Sequence, residues 1–156
     1  MAYNSSHISS ITYSSTEGHP DEETLKAMIA LSNIIFETNH TSPFIKRLSD
    51  KQDVFSVLAY EGNTPIGFKI GYRINQKTFY SWMGGILEAY RRKGIAKQLA
   101  LHQEEWVKSR GYSVLRTKSM NRFKPMMIFN LKNGFDIVDS VTDDDGFKVI
   151  FEKRLD

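Results

Sequence analysis

Cysteine is absent from the 156 residues, so thiolate metal sites, disulfide staples and a cysteine nucleophile are all excluded. The four histidines, His7, His19, His40 and His102, are scattered without ligand spacing, and no metal is expected. Long apolar runs are missing too. No stretch approaches membrane-spanning length, and the serine-rich first twenty residues lack the basic start and apolar core of a signal peptide. A soluble, cytoplasmic protein with no membrane contact is the expectation. Nor does one sign of charge dominate. Lys and Arg number 21 against 18 Asp and Glu, a net charge of +3 that is too small and too dispersed to argue for nucleic acid. Repeats and linkers are lacking, and the length suits a single domain over residues 1–156, whose core needs no disulfide or metal.

What the chain does have is Arg91-Arg92-Lys93-Gly94-Ile95-Ala96, placed between an apolar strand-like run and an amphipathic helical pattern. A glycine at such a junction lets backbone N–H groups crowd around an anion, and a helix N-terminus adds about half a positive charge. Ala96 leaves room for a phosphate oxygen, while Arg91, Arg92, Lys93 and Lys97 supply mobile positive charge around the rim. The context suggests a pyrophosphate cradle; a basic, solvated helix cap is the plainer alternative.

The segment resembles the acetyl-CoA loop of the GCN5-related N-acetyltransferases, Arg/Gln-x-x-Gly-x-Gly/Ala. Two further stretches are similar to that family in the same order. Tyr80 to Tyr90 looks like its fourth strand and exit, and Asn130-Leu131-Lys132-Asn133-Gly134-Phe135 like its terminal Gly-Phe segment. The resemblance implies a mixed, mostly antiparallel sheet with helices on both faces, splayed open between the fourth and fifth strands to admit the pantetheine of acetyl-CoA.

Periodicity and turn signals fill in the rest of an α/β (α+β) fold. Strands are predicted at Ser9 to Ser14, Val54 to Glu61, Ile66 to Tyr72 and Thr78 to Leu87, with Gly62-Asn63 as a hairpin turn. Helices are predicted from the acidic start at Asp21 to about Glu37, from Pro43 to about Ser49, and from Gly94 to Arg110 with Ile95, Leu99, Trp106 and Val107 facing the sheet. A parallel strand at Val114 to Lys118 follows, then a short helix at Met126 to Asn133. Phe135 to Val138 and Phe147 to Phe151 close the chain as a hairpin around Asp143-Asp144-Asp145-Gly146. The sheet thus has six or seven strands. Gly84-Gly85 marks either a bulge or close ligand approach, or packing room under a helix.

Acyl transfer to an amine needs a held thioester, an oxyanion donor, a neutral amine and a leaving thiolate. On the resemblance, the backbone of Gly85 to Leu87 would pair with pantetheine and polarise the carbonyl. The implied cofactor contacts are Ile86, Leu87, Arg91, Arg92, Lys93, Gly94, Ile95, Ala96, Lys97, Asn121 and Asn130. Asn121 reads equally as a turn cap. Two departures from the family stand out. The tyrosine that serves as general acid is Asn130 here, so acid catalysis is absent or supplied by Tyr80, Tyr90 or Ser119. The fourth strand carries no carboxylate, which leaves Glu88 as a candidate base or as an ion-pair partner of Arg91 or Arg92. Glu88 and Tyr80 are accordingly the candidate catalytic residues. The expected function is acetyl-CoA-dependent N-acetylation of a primary amine on a small molecule or peptide, by a monomer or homodimer. A noncatalytic acyl-CoA-binding domain and a basic phosphate-binding module are the alternatives. Acidic groups at Glu37 to Ser42 and Asp143 to Asp145 would favour cationic acceptors.

Overall fold

A computed structural model describes residues 10–38 and 41–156. Seven strands form one sheet in the order β1-β2-β3-β4-β5-β7-β6. They are β1 (Ile11–Glu17), β2 (Phe55–Glu61), β3 (Thr64–Arg73), β4 (Thr78–Ile86), β5 (Val114–Ser119), β6 (Asp136–Asp143) and β7 (Gly146–Arg154). Four helices cover its faces: α1 (Glu22–Phe36), α2 (Thr41–Leu48), α3 (Ile95–Ser109) and α4 (Lys124–Lys132). Every neighbouring strand pair is antiparallel except β4 with β5. This is the mixed, mostly antiparallel sheet the sequence led us to expect.

The central strands are apolar on both faces because both are covered. Phe55, Val57 and Ala59 of β2 join Ile66, Phe79, Ile86 and Leu115 beneath Ile95, Leu99 and Val107 of α3. The alternate residue Leu58, with Phe68 and Ile70, packs against Met28 and Leu31 of α1 and Phe44 of α2. Asp21 caps α1 by accepting the Thr24 amide at 2.8 Å.

Local polarity misplaces several boundaries. β1 runs to Glu17, past the expected Ser14, because all seven of its residues find partners along β2 and pairing overrides the weak propensity of Ser14-Ser15-Thr16. The expected start at Ser9 lies outside the described residues. α2 begins two residues before Pro43, which fits in the first turn since the missing N–H has no acceptor to lose there. α4 likewise begins at Lys124 with Pro125 in its first turn. β6 extends to Asp143, an exposed edge strand whose polar residues carry no hydrophobic signal.

The feature that positions the site is a bulge. Met83 of β4 pairs with Ile70 of β3 and Ser81 with Gly71, so Trp82 is an extra residue. Bulges bend a strand and raise its twist. The parallel pairing of β4 with β5 stops at the same place, at Ser81 opposite Thr117, where the Thr117 hydroxyl donates to the Ser81 carbonyl at 3.0 Å. Beyond that point β4 continues to Ile86 with no strand partner on its β5 side among the described residues.

Candidate active site

The gap between β4 and β5 leads to the start of α3. Gly94 is the N-cap residue with φ 80°, a left-handed conformation that glycine adopts without strain, and no side chain caps the helix. Gln98 makes the first intrahelical bond, to the Gly94 carbonyl at 3.2 Å, so the amides of Ile95, Ala96 and Lys97 lack helical acceptors. Arg92 also has positive φ, 66°. Arg91, Arg92, Lys93 and Lys97 are all exposed around this turn. Two left-handed residues just before an uncapped helix end make a concavity of N–H groups ringed by cations, which suits a diphosphate.

Strand geometry decides which backbone groups face the gap. The Leu87 amide donates to the Ile66 carbonyl of β3 at 2.9 Å, and alternate residues point opposite ways. Gly85 and Leu87 are therefore committed to β3, while Gly84 and Ile86 present N–H and C=O toward the gap. The Gly85 to Leu87 stretch anticipated from sequence thus shifts by one position. Arg91 turns back into the gap, donating from Nε to the Ile86 carbonyl at 3.2 Å.

The bulge also sorts side chains between the two faces. Ser81 lines a cavity of about 40 Å³ under α3 and α4 with Lys69, Gln103, Thr117, Phe129 and Asn130. Tyr80, Trp82 and Met83 lie on the opposite face, under α1 and α2. There Tyr80 meets Tyr72 edge-on at 5.5 Å, and the Lys118 ammonium lies 5.5 Å from the Tyr80 ring centroid. Burial pushes the Tyr80 phenol up to about 12, with Tyr72 and Asp143 adding to the shift against Arg47 and Arg116. On this face the end of α1 reaches across to the turn after β5, Phe36 meeting Phe123 edge-on at 5.8 Å.

The remaining candidates are scattered. Glu88 is exposed at the start of a single 3-10 turn and makes no ion pair with Arg91 or Arg92. The Tyr90 hydroxyl donates to Glu61 instead of facing the gap, and a 3-10 turn holds Asn121, exposed, with its carbonyl accepting from Lys124 at 2.8 Å. Met120, not Asn121, occupies the cap position of that turn. Asn130 is buried at 5% exposure, and its Nδ2 has no partner among the described residues.

Among the cavity residues that escaped the sequence reading are Gln103 and Lys69. Gln103 is fully buried with both amide atoms unpartnered among the described residues. Its signal was its spacing: Ile95, Leu99, Gln103 and Val107 repeat every fourth residue. Lys69, a lone charged residue inside a strand buried on both faces, gave no comparable signal.

The central sheet is opened at a parallel pair, and a concavity of backbone N–H groups ringed by cations lies at the mouth of the opening. The family model of the Acetyltransferase (GNAT) family matches residues 22–134, and the chain belongs to that family. No curated protein matches the sequence significantly. Solved structures share the fold at low identity. A GNAT-family acetyltransferase from Elizabethkingia anophelis with acetyl-CoA bound is 17% identical at a TM-score of 0.69, over 93% of this chain and 98% of that one. The PaiA N-acetyltransferase of Thermoplasma acidophilum, in complex with coenzyme A, is 21% identical at 0.71, over 90% and 99%. A GNAT-family protein from Desulfovibrio desulfuricans is 12% identical at 0.77, over 93% and 100%.

Proposed function

We propose that the chain acts as one cytoplasmic domain that transfers the acetyl group of acetyl-CoA to a primary amine of a small molecule or peptide, by direct attack and without a metal. The observation that carries this reading is the continuity of the uncapped α3 N-terminus with the unpaired edge of β4. The diphosphate would rest on the amides of Ile95 to Lys97. Pantetheine would then run along Gly84 and Ile86, whose gap-facing backbone groups complement its two amides as a neighbouring strand would once the Arg91 side chain gives up the Ile86 carbonyl. A β4 amide aimed at the thioester carbonyl would stabilise negative charge as it develops on oxygen.

The acceptor would enter from the α1 and α2 face, past Tyr80, Trp82, Phe36 and Phe123. Its nitrogen bonds to the carbonyl carbon as the bond to sulfur breaks. The amine must be neutral to attack, so turnover should rise with pH until the amine or its base has titrated. Glu88, solvated at the mouth, would pass that proton to water. Tyr80 keeps its own proton throughout the physiological range and would orient the acceptor by donating a hydrogen bond.

The test is Gly94→Glu, which puts a carboxylate and a strained side chain into the cradle. Calorimetric CoA binding should fall at least a hundredfold while circular dichroism shows an intact fold. Undiminished affinity in the folded variant would overturn the reading.

A further inference from the structure

Lys69 lies on β3, which does not neighbour β5. Its side chain nevertheless lines one cavity with Leu115 and Thr117 of β5 and Asn130 of α4, so it must pass over β4. Gly84 permits the crossing. It is the register partner of Lys69, and a methyl group there would stand 3.2 Å from the Lys69 Cγ. The same cavity holds Ser81 and Thr117, the last paired residues before the strands part. Lys69 therefore reaches the closed end of the gap.

That end is where the sulfur of a bound CoA belongs. From Leu87 back to Trp82 the strand rises about 17 Å at ~3.3 Å per residue. A pantetheine arm anchored at the start of α3 has the reach of roughly four or five extended residues. We propose that Lys69 is the catalytic acid of the acetyl transfer, handing a proton from Nζ to the departing sulfur. This rests on reading the gap as the acetyl-CoA site. As the acceptor nitrogen bonds to the carbonyl carbon, the C–S bond breaks and its electron pair stays on sulfur. The Lys69 proton moves to that sulfur, giving free thiol, and the proton shed by the acceptor amine restores the ammonium through solvent.

The surroundings suit the role. Among the described residues Lys69 has no carboxylate partner, and desolvation pushes its ammonium down to about 8, close to the ~8.5 of a free thiol, where proton transfer is nearly balanced. The charged groups around the cavity are Lys97 and Glu104 of α3 and Lys153 of β7, and Glu104 is taken up by Lys153 at 2.9 Å. α4 and its C-cap offer only the uncharged polar residues Asn130 and Asn133, and β4 and β5 offer Ser81 and Thr117. Gln103 and the Asn130 Nδ2 are buried without partners, as expected of walls that complete their hydrogen bonds on a polar ligand.

The test needs no acceptor. Bound CoA is titrated through its thiolate ultraviolet absorbance in wild type, Lys69→Met and Lys69→Arg, with binding followed by calorimetry. An ammonium beside the sulfur should lower the bound thiol's pKa by about one unit in wild type, Lys69→Arg should preserve the shift, and Lys69→Met should abolish it. CoA that binds wild type with its thiol unmoved overturns the inference and leaves the acetyltransferase reading standing. A wild type that binds no CoA overturns both. The wild-type titration decides even where the Met variant does not fold, and a shift that survives in Lys69→Met assigns it to another group.

Discussion

At the scale of single residues, Lys69 costs the fold stability in return for its position. Lys69 is half-buried, and the partial desolvation of its ammonium on folding holds its folded pKa at about 8, below the ~10.4 of an unfolded lysine. Between those values the unfolded chain holds more protons than the folded one, and stability must rise with pH across that window. In the ligand-free protein Lys69→Met should therefore raise the thermal midpoint at pH 7. The gain should shrink as pH climbs from 8 toward 10, where the wild-type lysine is neutral as well. A midpoint difference that is the same at pH 7 and pH 10 would mean the ammonium is not desolvated. Gln103 belongs with it, since two unpartnered amide atoms at zero exposure are a cost no core of leucines would carry. Polar residues in such places are invisible to a pattern built on apolar spacing, which is why the sequence pointed to Trp106 on this helix and passed over Gln103. Trp106 is real packing all the same, stacked on Phe55 at 4.3 Å and 8°.

At the scale of elements, β4 and its bulge decide the site. Gly71 sits opposite the extra residue, and a methyl group there would collide with the Tyr80 carbonyl and the Phe79 ring. Neither neighbour can yield, because the first is sheet backbone and the second is fully buried. Gly71→Ala should destabilise the protein by about 1–3 kcal/mol in denaturant titrations, the range for overpacking. It should also weaken CoA binding, since relief of the clash must move β4 at the point where the gap opens. An unchanged unfolding midpoint would show that the strand absorbs the methyl without shifting. Gly84 and Gly85, by contrast, divide between the two faces. A methyl at Gly85 would meet Ile35 of α1 at 3.0 Å, and one at Gly84 would crowd Lys69. The sequence leaves the pair open as a bulge, a ligand approach or packing room; the bulge falls two residues earlier, and both glycines make room for side chains.

At the scale of the whole molecule, the sheet would separate two approaches to the proposed reacting centre. The cofactor arm would come in between α3 and α4, and the acceptor past α1, α2 and the β6–β7 turn. That turn is acidic, but not freely so. Lys148 holds Asp143 at 3.0 Å and Asp145 at 3.3 Å, and its hydrogen bond, with the Asp145 amide, keeps the Asp143 carboxyl below the usual range. Neutralising Asp143, Asp144 and Asp145 to asparagine removes three negative charges and releases the Lys148 cation. For a cationic acceptor such as a polyamine, KM should rise about five- to tenfold at low salt and less at high salt, with the KM for acetyl-CoA unchanged. Equal efficiency toward cationic and neutral amines in wild type and variant would return the turn to a structural role and move the acceptor pocket to α1.

The sequence by itself determined what depends on local backbone chemistry. The strand, glycine and helix around Gly94 are legible because a left-handed residue before an amphipathic pattern is a short-range requirement. The order of elements follows from periodicity for the same reason. Strand ends at Glu17 and Asp143 were not legible, because pairing with β2 and β7 overrides weak local preference. What only the tertiary structure decided is which groups meet across the gap. Ser81 parts from Thr117's strand because Trp82 is one residue too many against β3, a long-range register that no local pattern encodes. Lys69 shares a cavity with Asn130, 61 positions along the chain, only because its side chain crosses β4 at a glycine.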